Sequence, residues 1–109
     1  MKISELIEKT GWRVLSGADL QREAECVYTC DLLSVVMGKA PSSCAWVTVM
    51  SNINSVAVAA LADISVIVLA GGASPDEAAV EKARLEGINM LLSDKPIFET
   101  ALEIHGLLA

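Results

Sequence analysis

The stretch from residue 64 to residue 96 constrains the fold most, because it reads as a strand, a helix and a second strand. Val66 to Ala70 is an apolar run rich in β-branched residues, which is typical of a strand buried on both faces. Ser74 has the position of a helix N-cap, and Gly87 that of a C-terminal stop. Residues 88 to 92 form the second apolar run. This order predicts a right-handed βαβ crossover in a parallel sheet.

The preceding residues predict a second unit of the same kind. Residues 45 to 50 are apolar and indicate a strand, and residues 51 to 55 form a polar loop. Asn54 or Ser55 is expected to cap a helix over residues 56 to 62. The other expected elements are a helix from Ser4 to Gly11, strands over 12–15 and 26–28, a helix over 31–37 capped by Asp31 and ended by Gly38, and a last helix after Pro96. The sequence thus predicts an α/β fold: a single three-layer domain over residues 1–109 with a mainly parallel sheet built from βαβ units.

Composition favours a self-associating protein and argues against nucleic acid as a partner. Hydrophobic residues make up 53% of the chain and the mean hydropathy is +0.51, and such an apolar surplus often lies in a subunit interface. The last helix, with Phe98 and Leu102, is apolar on more than one face. We therefore expect a homodimer or a larger oligomer. The net charge of −6 repels a phosphate backbone.

The sequence also indicates a cytoplasmic protein without a membrane partner. No apolar run approaches the roughly eighteen residues that cross a bilayer, and the first residues lack the basic and apolar blocks of a signal peptide. Three cysteines, an odd number, fit a reducing compartment. Cys26, Cys30 and Cys44 are interpreted as buried thiols, with an iron or zinc site as the less favoured alternative.

Polar loops are expected to converge at the carboxyl edge of the sheet. In a parallel sheet the loops that follow successive strands meet at one edge, and a crevice there is the usual ligand site. The alternative is that these are ordinary strand-to-helix turns with good caps. The candidate ligand-binding residues are Ser51, Asn52, Asn54, Gly71, Gly72, Ser74, Ser93 and Asp94.

No catalytic or metal-binding constellation is apparent. The glycines at 71 and 72 do not form a dinucleotide fingerprint or a phosphate-binding loop with its lysine. His105 has no nucleophile or acid placed beside it by sequence. We therefore predict no catalytic residue, no metal and no cofactor.

Five segments in register resemble the DRTGG domain, a small α/β domain found alone and within phosphotransacetylases and CBS-domain pyrophosphatases. They are Asp31-Leu-Leu, the strand from Trp46 to Met50, the helix from Val56 to Leu61, Val68-Leu-Ala-Gly-Gly and Phe98-Glu-Thr-Ala. The resemblance covers about two-thirds of the chain, from Asp31 to Ile104. It implies a regulatory or ligand-sensing module that dimerises and has no catalysis of its own.

The chain departs from this family in one loop. Where the family carries an Asp-Arg signature, the chain reads Ser51-Asn52-Ile53-Asn54-Ser55, which offers neutral donors in place of a guanidinium. The favoured interpretation is a non-catalytic, homodimeric sensor of a small anionic or nucleotide-like ligand, or a domain with a protein partner. The alternatives are a kinase-like or phosphate-transferring enzyme, which the label HPr serine kinase-like attached to such domains suggests, and a scaffold for a redox complex of hydrogenase type.

Overall fold

The computed structural model describes all residues from Met1 to Ala109 and contains five helices and five strands. Sequence and structure agree on the number and order of these elements. In chain order they are α1 (Ile3–Thr10), β1 (Arg13–Ser16), β2 (Cys26–Thr29), α2 (Leu33–Lys39), β3 (Cys44–Thr48), α3 (Ile53–Leu61), β4 (Val66–Leu69), α4 (Glu77–Glu86), β5 (Asn89–Leu92) and α5 (Ile97–Leu108).

The strands form one sheet in the order β1-β5-β4-β3-β2. Strands β3, β4 and β5 run parallel, as the two βαβ units predicted, and β2 also pairs parallel with β3. Strand β1 pairs antiparallel with β5, with Arg13 opposite Leu92, and its register is irregular between Val14 and Ser16. The first residues of β1 therefore lie at the edge where the parallel strands end.

Alternate residues of the central strands supply two cores, one on each face of the sheet. Trp46, Ile67 and Met90 pack against helices α2, α3 and α4. Val47 and Val68 face the opposite way and pack against α1 and α5. Because successive side chains of a strand point to opposite faces, an unbroken apolar run fills both cores, and the predicted three-layer α/β architecture is confirmed.

Two helix starts differ from the sequence prediction. The N-cap of α3 is Asn52, whose Oδ1 accepts a hydrogen bond from the Ser55 N–H at 2.9 Å, so Asn54 lies within the helix and does not cap it. The N-cap of α4 is Asp76, which accepts from the Ala79 N–H at 3.2 Å, and Ser74 stays in the loop. In both loops several residues can cap, and tertiary placement of the loop selects one.

The starts of α1 and α2 also differ. The N-cap of α1 is Lys2, whose N–H is held by Glu5 Oε1 at 3.0 Å, so Ser4 is already helical. Asp31 does not cap α2, which Leu32 precedes without a side-chain bond. The Asp31 carboxylate instead accepts from the Thr48 hydroxyl at 2.7 Å and from the Val49 N–H at 3.0 Å, so it ties the ends of β2 and β3 together.

Helix α2 also continues past the predicted stop, because Gly38 lies inside it and Ala40 is the C-cap. None of the five helices combines the length and the apolar content that crossing a bilayer requires.

Candidate functional site

A pocket of about 440 Å³ opens at the carboxyl edge of the sheet. The loops after β4 and β5 form one side of it, and the start of the antiparallel strand β1 forms the other. We call it the Gly72 pocket. Its lining residues are Thr10, Gly11, Trp12, Arg13, Gly72, Ala73, Leu92, Ser93 and Asp94.

The two consecutive glycines after β4 have different surroundings. Both adopt a positive φ, 67° at Gly71 and 79° at Gly72, which other residues adopt with strain. A Cβ at Gly71 would lie 3.1 Å from Val49 Cγ1 and 3.3 Å from Ile97 Cγ1, whereas a Cβ at Gly72 would meet no atom within 4 Å. Gly71 therefore permits close packing of α5 on the loop, and Gly72 borders open space.

The backbone around the pocket carries amide donors without a partner. The Gly71 N–H bonds the Lys95 carbonyl at 3.0 Å and the Ala73 N–H bonds the Ala70 carbonyl at 3.2 Å, which fixes the loop against α5. The N–H groups of Gly72, Ser74 and Asp94 form no hydrogen bond within the chain. Free amides next to a helix N-terminus provide a favourable environment for an anion.

Ser93 and Asp94 differ in what they offer a ligand. The Ser93 hydroxyl is buried, lies 2.8 Å from the Thr100 hydroxyl and accepts a bond from the Lys95 N–H at 3.1 Å, so it shapes the turn into α5. The Asp94 side chain is exposed at the mouth of the pocket. Ser93 therefore supports the site, and Asp94 is free to contact a ligand.

The polar residues after β3 lie outside the pocket. Ser51 Oγ accepts a hydrogen bond from the Asp76 N–H at 2.8 Å and so joins the loop after β3 to the start of α4. Asn52 caps α3, and Asn54 is exposed on that helix. Of the eight sequence-predicted residues, the pocket brings together Gly72, Ser93 and Asp94, while Gly71 and Ser74 flank it without lining it.

Sequence reasoning missed the part of the pocket that β1 supplies. Thr10, Gly11, Trp12 and Arg13 reach the carboxyl edge only because β1 runs antiparallel beside β5. A strand direction of this kind leaves no signal in a short extended run. Arg13 has no ionic partner, and among the lysines and arginines it is the only unpaired one that lines a pocket.

The three cysteines lie close to one core. Cys26 is opposite Cys44 in the β2–β3 register, and Cys26 and Cys30 pack at the border of the core that holds Cys44. Burial, and next the nearby Cys26, raise the pKa of the Cys44 thiol to about 12. A thiol with such a pKa stays protonated and is a poor nucleophile and metal ligand.

An apolar groove of about 500 Å³ lies between α5 and the edge strand β2. Strand β2 is at the opposite end of the sheet from β1, which lines the Gly72 pocket. Phe98 and Leu102 line it with 69% and 55% of their surface exposed. We call it the α5 groove. The full lining is Val27, Thr29, Ile97, Phe98, Ala101, Leu102 and His105.

No protein-family model matches the sequence, and neither does any curated protein. Among solved structures, the chain is similar to the CBS and DRTGG domains of the regulatory region of a Clostridium perfringens pyrophosphatase, in complex with its activator diadenosine tetraphosphate. The TM-score is 0.70 at 11% sequence identity, over 94% of this chain and 44% of the other, so the chain spans less than half of that structure's length. At this identity the likeness concerns the fold, and it confirms the predicted α/β architecture of DRTGG type.

Proposed function

We propose that this chain is a non-catalytic regulatory domain that senses a small anionic, nucleotide-like ligand in the Gly72 pocket. The observation that carries the proposal is the meeting of an unpaired arginine, Arg13, with the unbonded amides of Gly72 and Asp94 around one pocket. A guanidinium and free amides are the groups that proteins use to hold phosphate.

The charge of the pocket argues for a ligand with both an anionic and a hydrogen-bond-donating part. The Asp94 carboxylate lines the same pocket as Arg13 and offsets its positive charge there. This carboxylate can accept hydrogen bonds from a ligand and repels a second anionic group. Trp12 and Leu92 add apolar surface to the lining. A nucleotide meets all three requirements through its phosphate, its exocyclic amine and its flat base. Nucleic acid is disfavoured because the chain carries a net charge of −6.

The similar pyrophosphatase region supports this ligand class, since it is a regulatory region complexed with a nucleotide activator. That support concerns the kind of ligand and not its position. Regulation of another protein through ligand binding is the role that we propose for this chain as well.

The test is calorimetric titration of the purified protein with ATP, diadenosine tetraphosphate and inorganic phosphate, together with thermal shifts, because a ligand that binds the native state raises the melting temperature. The Gly72→Asn variant places a side chain in the open space of the pocket and should lose at least about tenfold in affinity. Asn tolerates the positive φ better than other residues. Recovery of the nucleotide unchanged would distinguish a sensor from a phosphate-transferring enzyme.

The matched control is Gly87→Asn. Gly87 has a φ of 75°, its Cβ would also meet no atom within 4 Å, and it lies at the end of α4 outside every pocket. The control therefore also introduces an Asn at a positive φ, and Gly87→Asn should bind as the unmodified protein does. Absence of binding to every probe would refute the proposal and direct the search to a protein partner.

We also propose that the protein acts as a homodimer in the cytoplasm, with the β2 edge and the α5 groove as the dimer interface. Strand β2 is an edge strand that carries neither charge nor proline, two of the features that usually protect such edges from pairing. The other edge strand, β1, carries Arg13 and an irregular register. The exposed Phe98 and Leu102 beside β2 supply apolar area for a second copy to cover.

A further inference from the structure

Strand β2 presents outward-pointing backbone groups at the edge of the sheet. The Glu25 N–H donates to the Ser43 carbonyl at 2.8 Å, on the side where β3 lies. Because the backbone groups of a strand alternate between its two sides, Val27 also directs its N–H and C=O toward β3. Cys26 and Tyr28 direct theirs outward, where no further strand of the sheet lies.

The chain itself closes this edge on both sides. On the amino-terminal side, the Ala24 N–H donates to the Met1 carbonyl at 2.8 Å and the Met1 nitrogen donates to the Ala24 carbonyl at 3.2 Å. On the other side, the Cys30 carbonyl accepts a hydrogen bond from the Trp46 indole at 2.8 Å. Residues 25 to 29 lie between these two contacts, and we call them the free edge.

The free edge matches a second copy of itself in one antiparallel register, in which Val27 lies opposite Val27 of the second copy. Cys26 then lies opposite Tyr28 of the second copy, and their outward N–H and C=O groups form four hydrogen bonds across the two-fold axis. A shift of two residues one way would pair Tyr28 with Ala24, and the opposite shift would pair Cys26 with Cys30. In either case one member of the pair is already hydrogen-bonded within its own chain.

The side chains of the free edge are also self-complementary in this register. Val27 and Thr29 line the α5 groove, and Glu25 lies on the same side of the strand because side chains alternate. Glu25 of each copy faces the Thr29 hydroxyl of the other, which can donate to the carboxylate. The two Glu25 residues stay about 13 Å apart along the strands, so their charges do not meet.

The position of α5 suits the same arrangement. The helix packs on both β2 and β3, so its axis lies over the space between them. Strands of a sheet are about 4.8 Å apart, which places the two α5 helices about 10 Å apart across the two-fold axis, a usual distance for packed helices. The exposed Phe98 and Leu102 of the α5 groove would then be covered by the second copy.

We propose that two copies of this chain join through antiparallel pairing of their free edges, with Val27 on the two-fold axis, so that two five-stranded sheets become one continuous sheet. This inference rests on the dimer of the proposed function and names the atoms that form it. The backbones of Cys26 and Tyr28 supply the hydrogen bonds, and the α5 helices cover the joint on one face.

The register is measured by disulfide cross-linking of the full chain, with Cys26→Ala and Cys30→Ala introduced so that the buried Cys44 is the only other thiol. Oxidised glutathione takes up the two electrons and two protons released by each new disulfide. Val27→Cys should form a reducible two-chain species on a gel, because its two Cα atoms lie about 4.5 Å apart. Thr29→Cys is the matched control, since its two copies lie about 13 Å apart along the strands, beyond the reach of a disulfide.

A mixture of Glu25→Cys chains with Thr29→Cys chains, in the same background, should cross-link between the two kinds of chain and not within either kind. Self-linking of Thr29→Cys, or no linking of Val27→Cys, would overturn this register. If light scattering still gives the mass of two chains, the dimer of the proposed function stands. A single-chain mass for the unmodified protein would overturn both proposals.

Two lysine substitutions test the register without cross-linking, with circular dichroism as the check that both variants are folded. Val27→Lys should reduce the mass to that of a single chain, because two ammonium groups would face each other across the two-fold axis. Thr29→Lys adds the same charge two residues away and should keep the two-chain mass, because its ammonium group would face Glu25 of the second copy. Equal masses for the two folded variants would show that the copies do not pair in this register.

Discussion

At the scale of the residue, polar side chains in this protein act mostly by joining segments that are distant in the chain. Asp63, at the amino edge of the sheet, has a φ of 57° and accepts from Ser42 Oγ at 2.6 Å and from an Arg22 Nη at 2.7 Å. The same arginine donates to the Asp63 carbonyl at 2.8 Å and to Ser65 Oγ at 3.1 Å. These bonds connect the β1–β2 loop to the turns before β3 and β4.

This cluster predicts a pH dependence of stability. The Ser42 hydrogen bond, and next the bond and charge of Arg22, lower the pKa of Asp63. Because its pKa is lower in the folded than in the unfolded state, the carboxylate stabilises the fold above its ordinary pKa. That contribution is lost as the pH falls through the lowered value. Asp63→Asn, which keeps a residue tolerant of positive φ, should flatten the acid limb of the unfolding free energy measured in urea between pH 6 and pH 2.

Glu8→Gln provides the control for that measurement, because Glu8 is exposed on α1 and forms no ion pair. It should keep the acid limb of the unmodified protein. An Asp63→Asn profile that matched the unmodified protein would show that the cluster does not stabilise the fold through this charge. At neutral pH we expect only a small loss, since the Asp63 side chain is solvent-exposed.

At the scale of the element, helix starts are where sequence and structure diverge most. The loop before α3 holds Asn52, Asn54 and Ser55, all of which can cap a helix. The bond from Asp76 to Ser51 fixes the loop beside α4. Asn52 is the residue that then caps, with a reciprocal bond from its own N–H to Ser55 Oγ at 3.2 Å. The N–H and the hydroxyl of the buried Ser55 are therefore both hydrogen-bonded within this capping box.

Replacement of the cap distinguishes the two asparagines. Asn52→Ala should lower the free energy of unfolding by about 1 kcal/mol, because the Ser55 N–H loses its side-chain acceptor. Asn54→Ala should be neutral or slightly stabilising, since Asn54 is exposed within α3 and Ala has the higher helix propensity. Chemical denaturation measures both. Equal costs for the two variants would mean that Asn52 is not the cap.

At the scale of the whole molecule, the distribution of exposed apolar residues is uneven. Phe98 and Leu102 lie together along the α5 groove beside the β2 edge. Leu85 is 78% exposed on α4 and lines no pocket. An isolated exposed leucine is ordinary, whereas a patch next to an unpaired strand is typical of an interface.

The proposed dimer predicts different results for two substitutions of the same kind. Leu102→Asp should halve the mass measured by light scattering after size-exclusion chromatography, because it buries a charge in the interface. Leu85→Asp should leave the mass unchanged. A Leu102→Asp variant that stays soluble with the mass of the unmodified protein would remove α5 from the interface.

The sequence by itself determined the α/β class and the parallel run of strands, because the apolar runs at residues 66–70 and 88–92 and the helix stop at Gly87 are local signals. It also predicted that polar loops lie at the carboxyl edge of the sheet. Only the tertiary structure decided which residues meet there. The antiparallel pairing of β1 with β5 brings Arg13 to the pocket. Asn54, in contrast, lies within helix α3 and outside the pocket. Strand direction and loop placement depend on packing between distant segments, which no short window of sequence contains.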